Sequence, residues 1–124
     1  MKLMIVDDHD GARQMIREML TFPGVTICEC ASGEEAVEKA REFKPDWVTM
    51  DVRMPGINGF QAAALIQEAQ PTVRIIVVST DNHPYLRRMA RVVGAVGYFR
   101  KEKLVELREL FADIVTKMKG AASL

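Results

Sequence analysis

The chain has 124 residues, close to the modal size of a single domain and long enough to bury a core. Apolar residues make up 48% and charged residues 27%, an ordinary globular mixture that excludes a disordered chain. Lys plus Arg (17) balance Asp plus Glu (17), so no bulk field points to nucleic acid or a membrane surface, and no apolar run reaches the roughly 20 residues of a bilayer span.

Leu3-Met4-Ile5-Val6 is an apolar run of strand length that ends in Asp7-Asp8. One Lys precedes it and no small-residue cleavage site follows, so it does not read as a secretory signal, and a cytoplasmic location is expected. Ala12 to Leu20 carries apolar positions at helical spacing, with Asp10 as the expected cap, His9 as a helix-entry residue, and Pro23-Gly24 as the stop. Neither His9 nor His83 has metal-ligand spacing along the chain. Val25 to Ala31 is a second strand of mixed polarity, suited to a sheet edge. Within it Cys28 and Cys30 lie on one face, roughly 6.6–7 Å apart with parallel Cβ directions, and read as two reduced, mostly buried thiols.

Ser32-Gly33-Glu34-Glu35 is a capping-box pattern that opens a helix running through Phe43, which Lys44-Pro45 ends. Trp47 to Met50 is the third strand and runs into Asp51. The turn-rich Pro55-Gly56-Ile57-Asn58-Gly59 leads into an Ala-rich helix that stops before Pro71. Val73 to Val78, the fourth strand, runs into Ser79-Thr80. Asp81-Asn82-His83-Pro84 starts the fourth helix, with Pro in its first turn. Gly94 and Gly97 flank a fifth strand, Val96 to Phe99, which runs into Arg100-Lys101. Leu104 to Met118 is the last amphipathic helix. Residues 1–119 form one domain in this reading, and 120–124 are a frayed C-terminus or the start of a linker.

Strand-length runs alternating with helix-length stretches predict a βαβ succession and a parallel sheet, an α/β fold. The strongly apolar first, third and fourth strands are expected inside it, covered by helices on both faces. Ligands of such sheets bind beyond the carboxyl ends of the strands. At those ends the chain places three carboxylates (Asp7, Asp8, Asp51), a hydroxyl (Ser79) and an ammonium (Lys101).

These residues resemble, over nearly the whole chain, the receiver domain of two-component response regulators. Ile5-Val6-Asp7-Asp8-His9 is similar to the family's acidic pair after the first strand. Met50 to Gly56 with Asn58-Gly59 is similar to its phosphoacceptor segment and loop. Val77-Val78-Ser79-Thr80 is similar to its switch-hydroxyl motif, and Gly94 to Lys101 to the segment with its switch aromatic and lysine. The resemblance implies a three-layer (βα)5 flavodoxin-like doubly wound fold with the sheet ordered 2-1-3-4-5. It implies a phosphoacceptor signalling domain, not a conventional enzyme, which takes a phosphoryl group from a sensor histidine kinase or a histidine phosphotransfer protein onto Asp51 and slowly dephosphorylates itself. Mg2+ (or Mn2+) would be held by Asp8, Asp51 and the main-chain carbonyl of Arg53, with Asp7 acting partly through water. Lys101 and the Ser79 hydroxyl would meet the phosphoryl oxygens, and Tyr98 would be the rotating aromatic that reports the change.

The physical chemistry runs parallel. A carboxylate can form an acyl phosphate, and phosphoryl transfer needs mostly positioning and charge stabilisation. Three carboxylates in one pocket repel unless a cation joins them, and a hard divalent ion with oxygen ligands suits that need. Asp51, alone at the end of the central strand, is the expected nucleophile.

Two positions depart from the commonest family pattern. Thr80 stands where a small residue is usual, and Arg53 puts a long cation near the pocket mouth. Both are expected to tune the phosphoryl lifetime, with the direction open. From Arg87 to Lys103, six basic residues face one acidic residue, Glu102, which suggests a docking surface for an acidic partner or a second copy. The surface of the fourth helix, fifth strand and fifth helix would respond to phosphorylation, with no direct binding to nucleic acid or membrane. Two other functions lose their key residues. A haloacid-dehalogenase-type phosphatase needs Asp where Arg53 stands, and a flavodoxin-like carrier needs a phosphate loop where Asp7-Asp8-His9-Asp10 would repel phosphate.

Overall fold

A computed structural model describes residues 1–122. Strand and helix alternate from end to end: β1 (Lys2–Val6), α1 (Asp10–Met19), β2 (Thr26–Cys30), α2 (Gly33–Phe43), β3 (Trp47–Met50), α3 (Gly59–Ala69), β4 (Arg74–Ser79), α4 (Pro84–Val92), β5 (Gly97–Arg100) and α5 (Leu104–Ala122), with one 3-10 turn, Lys101–Lys103, joining the last two. The strands form one parallel sheet in the order β2-β1-β3-β4-β5, the doubly wound arrangement expected. The interior places fall to β1, β3 and β4, the three most apolar strands, because only their side chains tolerate helices on both faces.

The period-two alternation of each strand divides the core. Leu3 and Ile5, with Trp47, Ile76 and Val78, meet Ile16 and Leu20 on the α1 side and Leu104, Leu107 and Phe111 of α5. The Trp47 and Phe111 rings meet edge to face at 5.4 Å. Met4 and Val6, with Val48, Met50 and Ile75, meet Ala36 and Ala40 of α2 and Ala62, Ala63 and Ile66 of α3. A smaller cluster of Val52, Phe60, Val77, Leu86 and Ala90 seats α4, with Tyr98 packed against it.

Register then sets the site. Cys30, Val6, Met50, Val77 and Tyr98 lie in one row across all five strands. The ladder runs one step further, with Asp7 N donating to the Cys30 carbonyl (3.1 Å) and Asp51 N to the Val6 carbonyl (3.0 Å). Asp7 and Asp51 therefore leave adjacent strands side by side at the carboxyl edge.

Several local expectations are corrected. The N-cap of α1 is His9, not Asp10, and it makes no side-chain cap bond. Asp10 is the first helical residue, and its carboxylate receives Arg13. The Ser32 hydroxyl caps α2 by accepting from Glu35 N, while the Glu35 carboxylate pairs with Lys39 one turn on. The complete capping box, both reciprocal bonds present, is at Asn58 and Gln61 at the start of α3. The fifth strand is Gly97–Arg100, one residue later than expected, so Lys101 starts the 3-10 turn. Helix α5 continues past Met118 to Ala122, since one Gly near a helix end costs only about 1 kcal/mol. Residues 123–124 of the predicted tail lie outside the described residues. Neither cysteine is in a disulfide, and burial pushes the Cys30 thiol up to about 12.

Candidate functional site

Asp7 is completely buried, and its Oδ1 accepts from His9 N at 2.9 Å, which fixes the turn out of β1. Lys101 enters from the far side of the sheet on the 3-10 turn. With 13% of its side chain exposed, its ammonium lies 2.8 Å from Asp7 Oδ2 and 3.4 Å from Asp51 Oδ1. Asp51 is 5% exposed, and its Oδ1 accepts from Val52 N. Burial raises the Asp51 carboxyl from the ordinary 3.8 to about 6. Lys101 opposes that rise, and the Asp7 and Asp8 charges add to it.

One lysine does not neutralise three carboxylates. Asp7 Oδ2 and Asp8 Oδ1 are buried and accept no hydrogen bond among the described residues; the Lys101–Asp7 contact is an ion pair without hydrogen-bond alignment. Asp7, Asp8, His9 and Asp51 each offer a ligand atom, all within 4.8 Å of one another. Oxygen donors with lone pairs to spare, in a buried and net-negative pocket, fit a hard divalent cation. His9 lies closer to this cluster than its place in the sequence suggested, with Nδ1 3.1 Å from Asp8 Oδ1, although its side chain is 70% exposed.

The loop from Asp51 to Asn58 is fixed from two sides. Gly59 N donates to the Val52 carbonyl, and Gly59 sits so tightly that a Cβ there would overlap the Asp51 carbonyl oxygen. On the other side Ile57 N donates to Glu34 Oε1 at the start of α2, and Ile57 packs over Gly33.

Ser79, the last residue of β4, is 2% exposed, and its hydroxyl accepts from Asp81 N at 3.1 Å. Asp81, unmarked in the sequence, is where the outer contacts meet. Its carbonyl accepts from the Tyr98 hydroxyl, its Oδ1 from His83 N, and its Oδ2 from Arg53 Nη2 at 2.8 Å. The His83 N–H, foremost, and the Arg53 guanidinium hold the Asp81 carboxyl below the usual carboxylate range. Arg53 thus links the β3–α3 loop to the β4–α4 loop. Thr80 is exposed between Ser79 and Asp81. Arg87 lies over the Tyr98 ring at 4.7 Å and donates to Asn82. The geometry therefore brings Asp7, Asp8, Asp51 and Lys101 into one cluster, and places Ser79, Arg53 and Tyr98 in a neighbouring network centred on Asp81. Sequence reading missed Asp81 because Asp-Asn before His-Pro reads as an ordinary helix start. It missed Arg13, whose Nη1 donates to the Asp7 carbonyl, because Arg13 reads as part of a solvated helix face.

A parallel sheet in this order, with a buried carboxylate ending its central strand beside an acidic pair and a lysine, defines a class of doubly wound α/β domains with a polar site at the carboxyl edge. The chain belongs to the response regulator receiver domain family, whose model matches residues 3–114. Response regulator GacA of Pseudomonas aeruginosa is 39% identical over 119 residues, covering 90% of this chain and 55% of that protein. Chemotaxis protein CheY of Thermotoga maritima is 37% identical over 106 residues, 85% of this chain and 84% of that protein. The chain spans about half the length of the first curated relatives it matches. Among solved structures, the response regulator domain of Thermotoga maritima CheB superposes with a TM-score of 0.77 at 29% identity, over 100% of this chain and 97% of that one. Among the described residues no helix is long and apolar enough to cross a membrane.

Proposed function

We propose that this receiver domain is a phosphoacceptor whose nucleophile is Asp51. A carboxylate oxygen of Asp51 attacks the phosphorus of a phosphohistidine on a sensor kinase or phosphotransfer protein. The P–N bond breaks, the imidazole leaves with a proton, and an acyl phosphate forms. Water attack on that phosphorus later releases inorganic phosphate and restores the carboxylate. The observation that carries this reading is the buried Asp51 carboxylate at the end of the central strand, 3.4 Å from the Lys101 ammonium and clustered with Asp7 and Asp8.

Mg2+ or Mn2+, held by Asp8, Asp51 and the Arg53 main-chain carbonyl with Asp7 acting partly through water, would draw off the charge of the phosphoryl oxygens. Lys101 supplies a second positive charge and is released from Asp51 to pair with a phosphoryl oxygen. Ser79 turns its hydroxyl to another, giving up Asp81 N. Because Tyr98 and Arg53 both hold Asp81, that exchange moves the whole network and biases the surface of α4, β5 and α5. Arg53, closed over the mouth on Asp81, and Thr80 beside it limit the approach of water and set the phosphoryl lifetime. Incubation with Mg2+ and acetyl phosphate, followed by hydroxylamine, tests the chemistry. A hydroxylamine-labile phosphoryl group on the Asp51 peptide is expected; a label on another residue, or none, overturns the reading.

A further inference from the structure

Arg13, in the first turns of α1, makes three directed hydrogen bonds with 17% of its side chain exposed. Nη1 donates to the main-chain carbonyl of Asp7 at 2.8 Å, Nη2 to Asp10 Oδ1 at 2.6 Å, and Nε to Glu29 Oε1 at 3.2 Å. Glu29, near the end of β2, is gripped from its other oxygen by Arg17 at 2.7 Å. One guanidinium thus clamps the peptide between Asp7 and Asp8 to both the start of α1 and the end of the edge strand.

We propose that Arg13 is a positioning residue for the acidic pair. It holds the Asp7–Asp8 peptide in the orientation that turns both carboxylates to the cation, an inference that rests on the reading of this pair as the cation site. Asp7 is fixed at three points: its N on Cys30, its Oδ1 on His9 N, and its carbonyl on Arg13. Among the described residues Asp8 Oδ1 accepts no hydrogen bond, although His9 Nδ1 lies 3.1 Å away, and the placement of Asp8 follows from the peptide that Arg13 holds. The residue type matters, because a planar fork with five N–H groups reaches a carbonyl and two carboxylates at once and a single ammonium does not. Asp10 and Glu29 balance the guanidinium charge, so it can stand beside a cation site without repelling the ion.

Positioning and simple field effects predict opposite signs. Removing a nearby positive charge should tighten cation binding by electrostatics alone, whereas losing the clamp should weaken it. The test is calorimetric titration of Mg2+ into the wild-type chain, Arg13→Met and Arg13→Lys, with thermal melting of each in metal-free buffer. Both variants are expected to bind Mg2+ about tenfold more weakly, the usual scale for losing a group that orients a metal ligand. Unchanged or tighter binding by Arg13→Met, or wild-type affinity in Arg13→Lys, overturns the proposal. Should either variant melt too low for titration, Arg17→Met loosens the same clamp more gently by releasing Glu29, and it too removes a positive charge. It is expected to weaken Mg2+ by a smaller factor, and unchanged affinity there also overturns the proposal. A wild-type chain that takes up no Mg2+ overturns this inference together with the reading it rests on, and the first titration shows which of the two has failed.

Discussion

Asp51 carries the cost of the site in the absence of metal. Its folded-state carboxyl sits at about 6 against an ordinary 3.8, a raised acid. Below about pH 4 both folded and unfolded chains hold this proton and the group costs nothing. As pH rises from about 4 to 6 the unfolded chain ionises first, and above about 6 the folded state bears the full cost of a buried anion, on the order of 2–3 kcal/mol. Asp51→Asn should therefore stabilise the metal-free domain at pH 7 and lose that advantage near pH 4; denaturant melts at the two pH values check it. Arg53 is proposed to guard the pocket mouth. Cutting its 2.8 Å bond to Asp81 should open the pocket to water, so Arg53→Ala and Asp81→Asn should both shorten the acyl-phosphate half-life several-fold. Decay rates in both variants equal to that of the wild-type chain would refute the closure. The sequence exposed Asp7, Asp8, Asp51 and Lys101 because each follows an apolar strand, a local signal. Asp81 was hidden because its partners come from distant parts of the chain, Arg53 lying 28 residues away.

At the level of elements, the β3–α3 loop shows how tightly packing sets chemistry. A side chain on Gly59 would overlap the Asp51 carbonyl. Gly59→Ala should thus lower stability by more than the usual helix preference for Ala would return, and weaken Mg2+ uptake as the loop shifts; melting and titration together measure both. The sequence pointed to the turn at Pro55-Gly56 but not to the Asn58–Gln61 capping box, because Gly59 at the first helical position looked like part of the turn. The one-residue shift of β5 has a similar origin: both flanking glycines fit a strand boundary, and only pairing of Gly97 with Ile76 fixes the register. Phe111, wholly buried and edge-on to Trp47, ties α5 to the sheet, and Phe111→Ala should cost about 3–5 kcal/mol in a denaturant melt.

Across the whole molecule, polarity separated interior strands from an edge strand, while the order 2-1-3-4-5 was what the family resemblance implied. The mixed β2 took an edge, and the three apolar strands took the interior. The basic surface from Arg87 to Lys103 needs dividing, which no composition count could show: Arg87 is engaged with Tyr98 and Asn82, while Arg88 and Arg91 are exposed on α4 beside Val92, itself 76% exposed. Docking to an acidic partner or a second copy should therefore weaken most when Arg88 and Arg91 are neutralised, whereas Arg87→Ala should chiefly loosen Tyr98. Binding of the phosphorylated chain, measured for each variant, separates the two. The measurement closest to the central claim is intact mass after incubation with Mg2+ and acetyl phosphate. The wild-type chain should gain the mass of one phosphoryl group and lose it with time once acetyl phosphate is removed and Mg2+ is kept, while Asp51→Asn should gain none. Equal gain by the Asp51→Asn chain would contradict the account.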